Sequence, residues 1–270
     1  MLRLCVIATL LVAAAAVPQE TMIHSLKNPG HRGGGRIIGG SHAERGQFPF
    51  SAFINSNGNV CGGALVSQRY VLTIAQCIDG LTYWEVYLGA ADLSAVEPGR
   101  TVVTTVRGIK YPGYDAPLTG LTSDVGLIDL GVDVPLSTYV RPAKLPARSE
   151  IGKVYLGQEG VFVGFGTTTA ASANAISDYN LNYAILEVID DGDEGWAMRA
   201  KGHNGESGCD DYGSPLVQYR NNDTAVVIGV NTFIAGGDGC NNAVTGFTVV
   251  SLYLDWISYV TGVQIDHVHA

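Results

Sequence analysis

The cysteines constrain this chain more than any other feature. Met1 to Ala16 carries Arg3 at its start, an apolar run from Leu4 to Val12, and then Ala14-Ala15-Ala16. That order of charge, apolar stretch and small residues is the pattern of a secretory signal peptide with its cleavage site. The run is shorter than the roughly 20 apolar residues of a bilayer-spanning helix, and no later run reaches that length. A soluble, exported product is therefore expected, and Cys5 leaves with the signal. Cys61, Cys77, Cys209 and Cys240 remain. An even number of cysteines in an exported chain predicts disulfides, but four cysteines allow three pairings and spacing does not choose among them. None sits in a Cys-x-x-Cys pair, which argues against a metal centre.

Composition narrows the fold further. Only 15% of the 270 residues are charged and 35 are glycine, which suits many short strands joined by turns better than a helical bundle. The formal net charge is -9; residues 1–36 carry +3, leaving -12 on the remainder. An acidic body argues against nucleic acid or an anionic membrane as the partner. Residues 17–36 are polar and end in Gly33-Gly34-Gly35-Arg36, a stretch expected to be flexible and open to proteolysis.

The run Cys209-Asp210-Asp211-Tyr212-Gly213-Ser214-Pro215-Leu216 resembles the nucleophile loop of the chymotrypsin-type serine peptidases, usually Cys-x-Gly-Asp-Ser-Gly-Gly-Pro-Leu. It departs in four ways: one residue is missing, Asp210 stands where Gly is expected, the central Ser is Tyr212, and the second Gly is Ser214. Other segments resemble the same family in the same order. Leu72-Thr73-Ile74-Ala75-Gln76-Cys77 matches Leu-Thr-Ala-Ala-His-Cys, with Gln76 at the general-base position. Ser123-Asp124-Val125-Gly126-Leu127-Ile128 matches the Asp-Ile-Ala-Leu pattern, with Asp124 as the residue that orients the base. Thr232 stands where the family has a Ser that bonds this Asp. Ile37-Ile38-Gly39-Gly40 resembles the amino terminus freed on activation, and Arg141 to Pro146 reads as the connector between barrels. The resemblance spans residues 37 to about 262.

It implies an all-β fold: two six-stranded antiparallel barrels, about 37–145 and 146–250, and a terminal helix, about 250–262. The helix is supported by Leu252, Trp256, Ile257 and Val260 at helical spacing. Residues 1–16 would be signal peptide, 17–36 propeptide and 37–270 the peptidase-like domain. The implied disulfides are Cys61–Cys77 and Cys209–Cys240, the first worth roughly 3 kcal/mol in the loop-entropy model. The implied activation switch is cleavage between Arg36 and Ile37, with Asp211 receiving the new terminus. The implied specificity pocket involves Ser207, Thr232 and Phe233, with an uncharged floor suited to apolar side chains. Ala90 and Ala91 replace the carboxylates with which some members hold calcium; Asp92 and Glu97 read as solvated surface, and no metal or cofactor is expected. Asn222-Asp223-Thr224 is a glycosylation sequon.

A carboxamide takes up no proton near neutral pH, and the Tyr212 phenol has an ordinary pKa near 10 with no base beside it. The expectations are that Gln76 bonds Asp124, that Tyr212 fills or lids the cleft, and that the chain is not an enzyme. It would be a secreted monomer that binds a protease, an inhibitor or another polypeptide. The alternatives are an active endopeptidase with an atypical site and a secreted structural or storage protein.

Overall fold

A computed structural model describes residues 40–114, 122–153, 155–166, 179–190, 195–204, 206–208, 211–237 and 242–268. The expected signal peptide, the propeptide, the bond between Arg36 and Ile37, Cys209, Cys240 and the side chain of Asn222 lie outside the described residues.

Two antiparallel sheets make up the body. The first holds β2 (Ser51–Ser56), β3 (Asn59–Leu65), β4 (Tyr70–Thr73), β5 (Trp84–Leu88), β6 (Thr101–Thr105), β7 (Gly108–Lys110) and β8 (Gly126–Asp129), in the order β6-β5-β2-β3-β4-β8-β7. The second holds β1 (Ser41–His42), β9 (Glu159–Gly164), β10 (Asn182–Asp190), β11 (Ala197–Gly202), β12 (Pro215–Arg220), β13 (Thr224–Ala235) and β14 (Val244–Val249). Its order is β1-β10-β11-β14-β13-β12-β9, and β9 pairs with both β12 and β10. Six strands therefore close into a barrel, and β1 is an appendage on β10.

The expected all-β fold of two antiparallel barrels is met by one closed barrel and one half-barrel. In the half-barrel, among the described residues, β6 pairs with β5 alone and β7, three residues long, pairs with β8 alone. The all-β class and the terminal helix stand. A 3₁₀ turn, Val250–Tyr253, leads into α1 (Leu254–Thr261), which stops at Gly262, left-handed at φ 72°. Tyr253, Leu254 and Ile257 form its buried face, whereas Leu252 is 42% exposed, because the 3₁₀ turn breaks the helical spacing read from the sequence.

The second barrel shows few polar alternations because both faces of its strands are covered. On β9, Phe162 points into the barrel while Val161 and Val163 join the core between the sheets. On β12 and β13 the same split places Leu216, Val226 and Ile228 inside and Val217, Val227 and Val230 between. Period-two geometry with two apolar neighbours yields a continuous apolar run instead of alternation. The core between the sheets also takes Phe53 and Phe165, whose rings meet edge-on at 5.5 Å, and Leu254 and Ile257 of α1. Arg141 to Pro146, read as a plain connector, is stitched to both sheets: Ala143 N donates to Leu65 O at 2.9 Å and Lys144 N to Ala225 O at 2.8 Å.

Glu97 corrects another expectation. It does not lie as solvated surface: its Oε2 accepts the backbone N–H groups of Ala91 at 2.7 Å and Asp92 at 3.2 Å, and Oε1 lies 3.3 Å from Arg45 Nε. The Arg45 guanidinium also sits 3.8 Å from the centroid of the Tyr139 ring and donates to Pro98 O. One side chain thus pins the loop at residues 89–100 beside the segment that opens the domain. Arg45→Ala should lower stability by about 1–2 kcal/mol, since it removes a cation–π contact and leaves a mostly buried carboxylate without its cation. A melting temperature lower by roughly 2–8 °C is expected, and an unchanged one would show that the loop holds without this residue.

Candidate functional site

The site forms where the two sheets meet. Gln76 lies in a 3₁₀ turn, Ala75–Cys77, directly after β4. The turn is held twice. Cys77 is bonded to Cys61 of β3, with Cα atoms 6.2 Å apart, and Cys77 O accepts Trp84 Nε1 at 2.9 Å. Asp124 comes from the segment just before β8 and is fully buried. Its Oδ1 accepts Gln76 N at 2.9 Å, and its Oδ2 accepts Gln76 Nε2 at 2.6 Å. Oδ2 also accepts the hydroxyl of Thr232, on β13 of the other sheet. Gln76 Nε2 further lies 3.4 Å from Thr232 O. One carboxyl group therefore ties the first sheet to the second.

Burial raises the Asp124 pKa above the ordinary carboxylate value, because a charge leaving water loses its hydration. The bonds from Thr232 and Gln76 pull in the opposite direction and only partly offset it. Nearby, the Tyr114 phenol is pushed up to about 12, first by burial and then by the charges of Asp124 and Asp79.

The loop of residues 211–214 packs against β3 with almost no space. Tyr212 O accepts Gly62 N at 2.8 Å, Gly213 N donates to Asn231 O at 2.8 Å, and Ser214 N donates to Asp211 O at 2.9 Å. Asp211 Oδ1 accepts Gly166 N at 2.5 Å. Gly213 is left-handed at φ 82°, and a Cβ on Gly62 would stand 1.9 Å from Ser214 Oγ. Both positions therefore require glycine. Ser214 Oγ is buried and finds no hydrogen-bond partner among the described residues. Tyr212 was expected to fill or lid the cleft. The residue is 36% exposed, so most of it is covered and its edge meets solvent.

Of the expected pocket residues, Ser207 and Thr232 are buried and Phe233 is partly exposed, with its ring 6.3 Å from Trp196. The sequence reading missed Thr245 and Ile234. Thr245 Oγ1 accepts Gly208 N at 2.9 Å, next to Ser207, and Ile234 is the cross-strand partner of Thr245. Nothing in the single sequence marks Thr245, which comes beside Ser207 only through β-strand register. Among the described residues no group of three His, Cys, Asp or Glu side chains is placed to hold a metal ion. No helix among them is long and apolar enough to cross a membrane.

The raised Asp124 pKa has a measurable sign. Above its folded pKa the cost of burying the charge is fully present; below the unfolded pKa of about 3.9 it is gone. Acidification through that window should thus add stability from this group. Asp129 and Glu150 act oppositely, since their pKa values are lowered. The difference in stability between the parent and Asp124→Asn should therefore shift toward the parent as pH falls through the window. A difference that is flat with pH would contradict the assignment.

Comparison with known proteins agrees with this architecture. The family described as Trypsin matches residues 37–257. A collagenase of Hypoderma lineatum is 29% identical, covering 96% of this chain and 98% of its own. A chymotrypsin of Phaedon cochleariae is 27% identical over 82% of this chain and 80% of its own, and the human chymotrypsin-like elastase family member 1 is 29% identical over 83% and 92%. A solved structure of HL collagenase superposes with a TM-score of 0.71 at 28% identity, covering 84% of this chain and all of that one. These findings correct the expectation that the chain is not an enzyme. The proteins it matches along most of their length are named as a chymotrypsin, a collagenase and an elastase, and it shares the fold of such a protease. Gln76 and Tyr212 stand at motif positions, and a residue's place in a motif does not by itself make a folded protein inactive. The chain belongs to the trypsin family.

Proposed function

We infer that this chain is a secreted trypsin-family protein whose cleft, at the seam between the two sheets, binds an extended polypeptide carrying a small apolar side chain. The observation that carries the reading is the hydrogen-bonded cluster of Gln76, Asp124 and Thr232, which keeps the seam ordered. In place of the base and nucleophile of the family motif stand Gln76 and Tyr212, and a carboxamide is a binding group at neutral pH. Thr245 bonds Gly208 beside the buried Ser207, with Ile234 as its cross-strand partner, and these uncharged side chains support an apolar occupant. Alanine is the proposed occupant, and phenylalanine is the contrasting probe. The partner is thus a polypeptide chain: a protease, an inhibitor or a substrate-like segment.

The names of the relatives favour a second reading, hydrolysis of that polypeptide through an atypical site. The two share one experiment. Fluorescein-labelled hexa-alanine and a version with one central Phe are titrated by anisotropy, peptide integrity is followed by mass spectrometry, and the protein is exposed to a fluorophosphonate probe. The binding reading expects hexa-alanine to bind and the Phe peptide to bind at least roughly tenfold more weakly, with Thr245→Gly removing most of that preference. Cleaved peptide and a labelled serine would establish the second reading. Failure of both peptides to bind would end the first.

A further inference from the structure

Gln76 presents one atom that the buried cluster does not use. Its backbone N–H goes to Asp124 Oδ1, and its Nε2 faces Asp124 Oδ2 at 2.6 Å and Thr232 O at 3.4 Å. An amide nitrogen has two protons, so both are directed into the cluster. The carboxyl group of Asp124 receives donors from Gln76 and Thr232, so it acts as an acceptor. Turning the amide over would set its carbonyl oxygen against a carboxyl oxygen. The orientation is therefore dictated by the cluster, and Oε1 must face the other way. That oxygen accepts no bond from any described residue, and it is not among the buried polar atoms that lack a partner. It opens to solvent from a half-buried side chain, at the seam where Thr232 of one sheet meets Asp124 of the other.

We propose that Gln76 Oε1 is a specificity-determining hydrogen-bond acceptor of the cleft, selecting polypeptides that bring a hydroxyl or N–H donor to this point. The proposal rests on the polypeptide-binding reading above and names what that site recognises. The physics is an asymmetry of desolvation. A peptide that covers Oε1 with a methyl group removes its water and returns nothing, whereas one that covers it with a hydroxyl replaces the lost bond. The side chain is held by two donor contacts from Nε2, so little rotamer freedom remains to be lost on binding. A carboxamide also carries no charge and keeps its acceptor across the working pH range, unlike a histidine.

The test is a serine scan of the labelled hexa-alanine peptide, one Ala→Ser change at a time, by anisotropy at pH 8 and pH 5. At one position serine should tighten binding roughly threefold to tenfold at both pH values, the range expected of one added hydrogen bond. In Gln76→Met, close in shape but without the acceptor and without the Nε2 donors to Asp124 and Thr232, the serine gain, read as the ratio of serine-peptide to hexa-alanine affinity within the variant, should vanish whatever happens to the affinity for hexa-alanine itself. In Gln76→His one ring nitrogen can face Asp124 and the other can accept. There the gain should be present at pH 8 and lost at pH 5, once the imidazole is protonated. Melting temperatures identify a variant that fails to fold, and either variant alone decides the matter. A serine gain that survives in Gln76→Met, or that does not change with pH in Gln76→His, overturns the acceptor role. Hexa-alanine that binds with no serine gain anywhere overturns that role alone, and the binding reading stands. Absence of binding by every peptide removes the binding reading and the acceptor role together.

Discussion

A single carboxyl group buried between two sheets organises this protein. Asp124 sits where a charge is expensive, and the cost is partly offset by donors that reach it from both sides: the turn after β4 and strand β13. Breaking such a pairing from one side leaves the other partner buried and unsatisfied, which is why the cluster holds the sheets in register. Everything proposed about the cleft depends on that registration. The positions of Gln76 and Thr232 relative to each other are set by it, and so is the way Oε1 faces.

A second constraint is steric. The loop at residues 211–214 lies against β3 at a distance only glycine tolerates, with Gly62 facing Ser214 and Gly213 held in the left-handed region. Its backbone is bonded to Gly62 and Asn231, and Ser214 N closes back onto Asp211 O. Tyr212 stands at the centre of this loop, 36% exposed.

Much of the fold was legible in the chain itself. The apolar runs of β9, β12 and β13 mark strands buried on both faces, and the order of motifs predicts two sheets joined near Arg141 to Pro146. Leu252 was misread because the 3₁₀ turn at Val250–Tyr253 has a different period from the helix that follows. The half-barrel form of the first sheet was also out of reach, since closure depends on pairing between edges far apart in sequence. At the site, Gln76, Asp124 and Thr232 could be named from motif positions. Arg45, Thr245 and Ile234 could not, because nothing in their local sequence distinguishes them from ordinary loop and strand residues.

By itself the sequence determined the family, the strand-rich body and the identity of the side chains in the cleft, because local pattern and motif order are written along the chain. Only the tertiary structure decided which way those side chains point and what they touch. Asp124 and Thr232 are 108 positions apart, and Gly208 and Thr245 are 37 apart. Their bonds exist because sheet register brings them within 3 Å, and register follows from packing over the whole core.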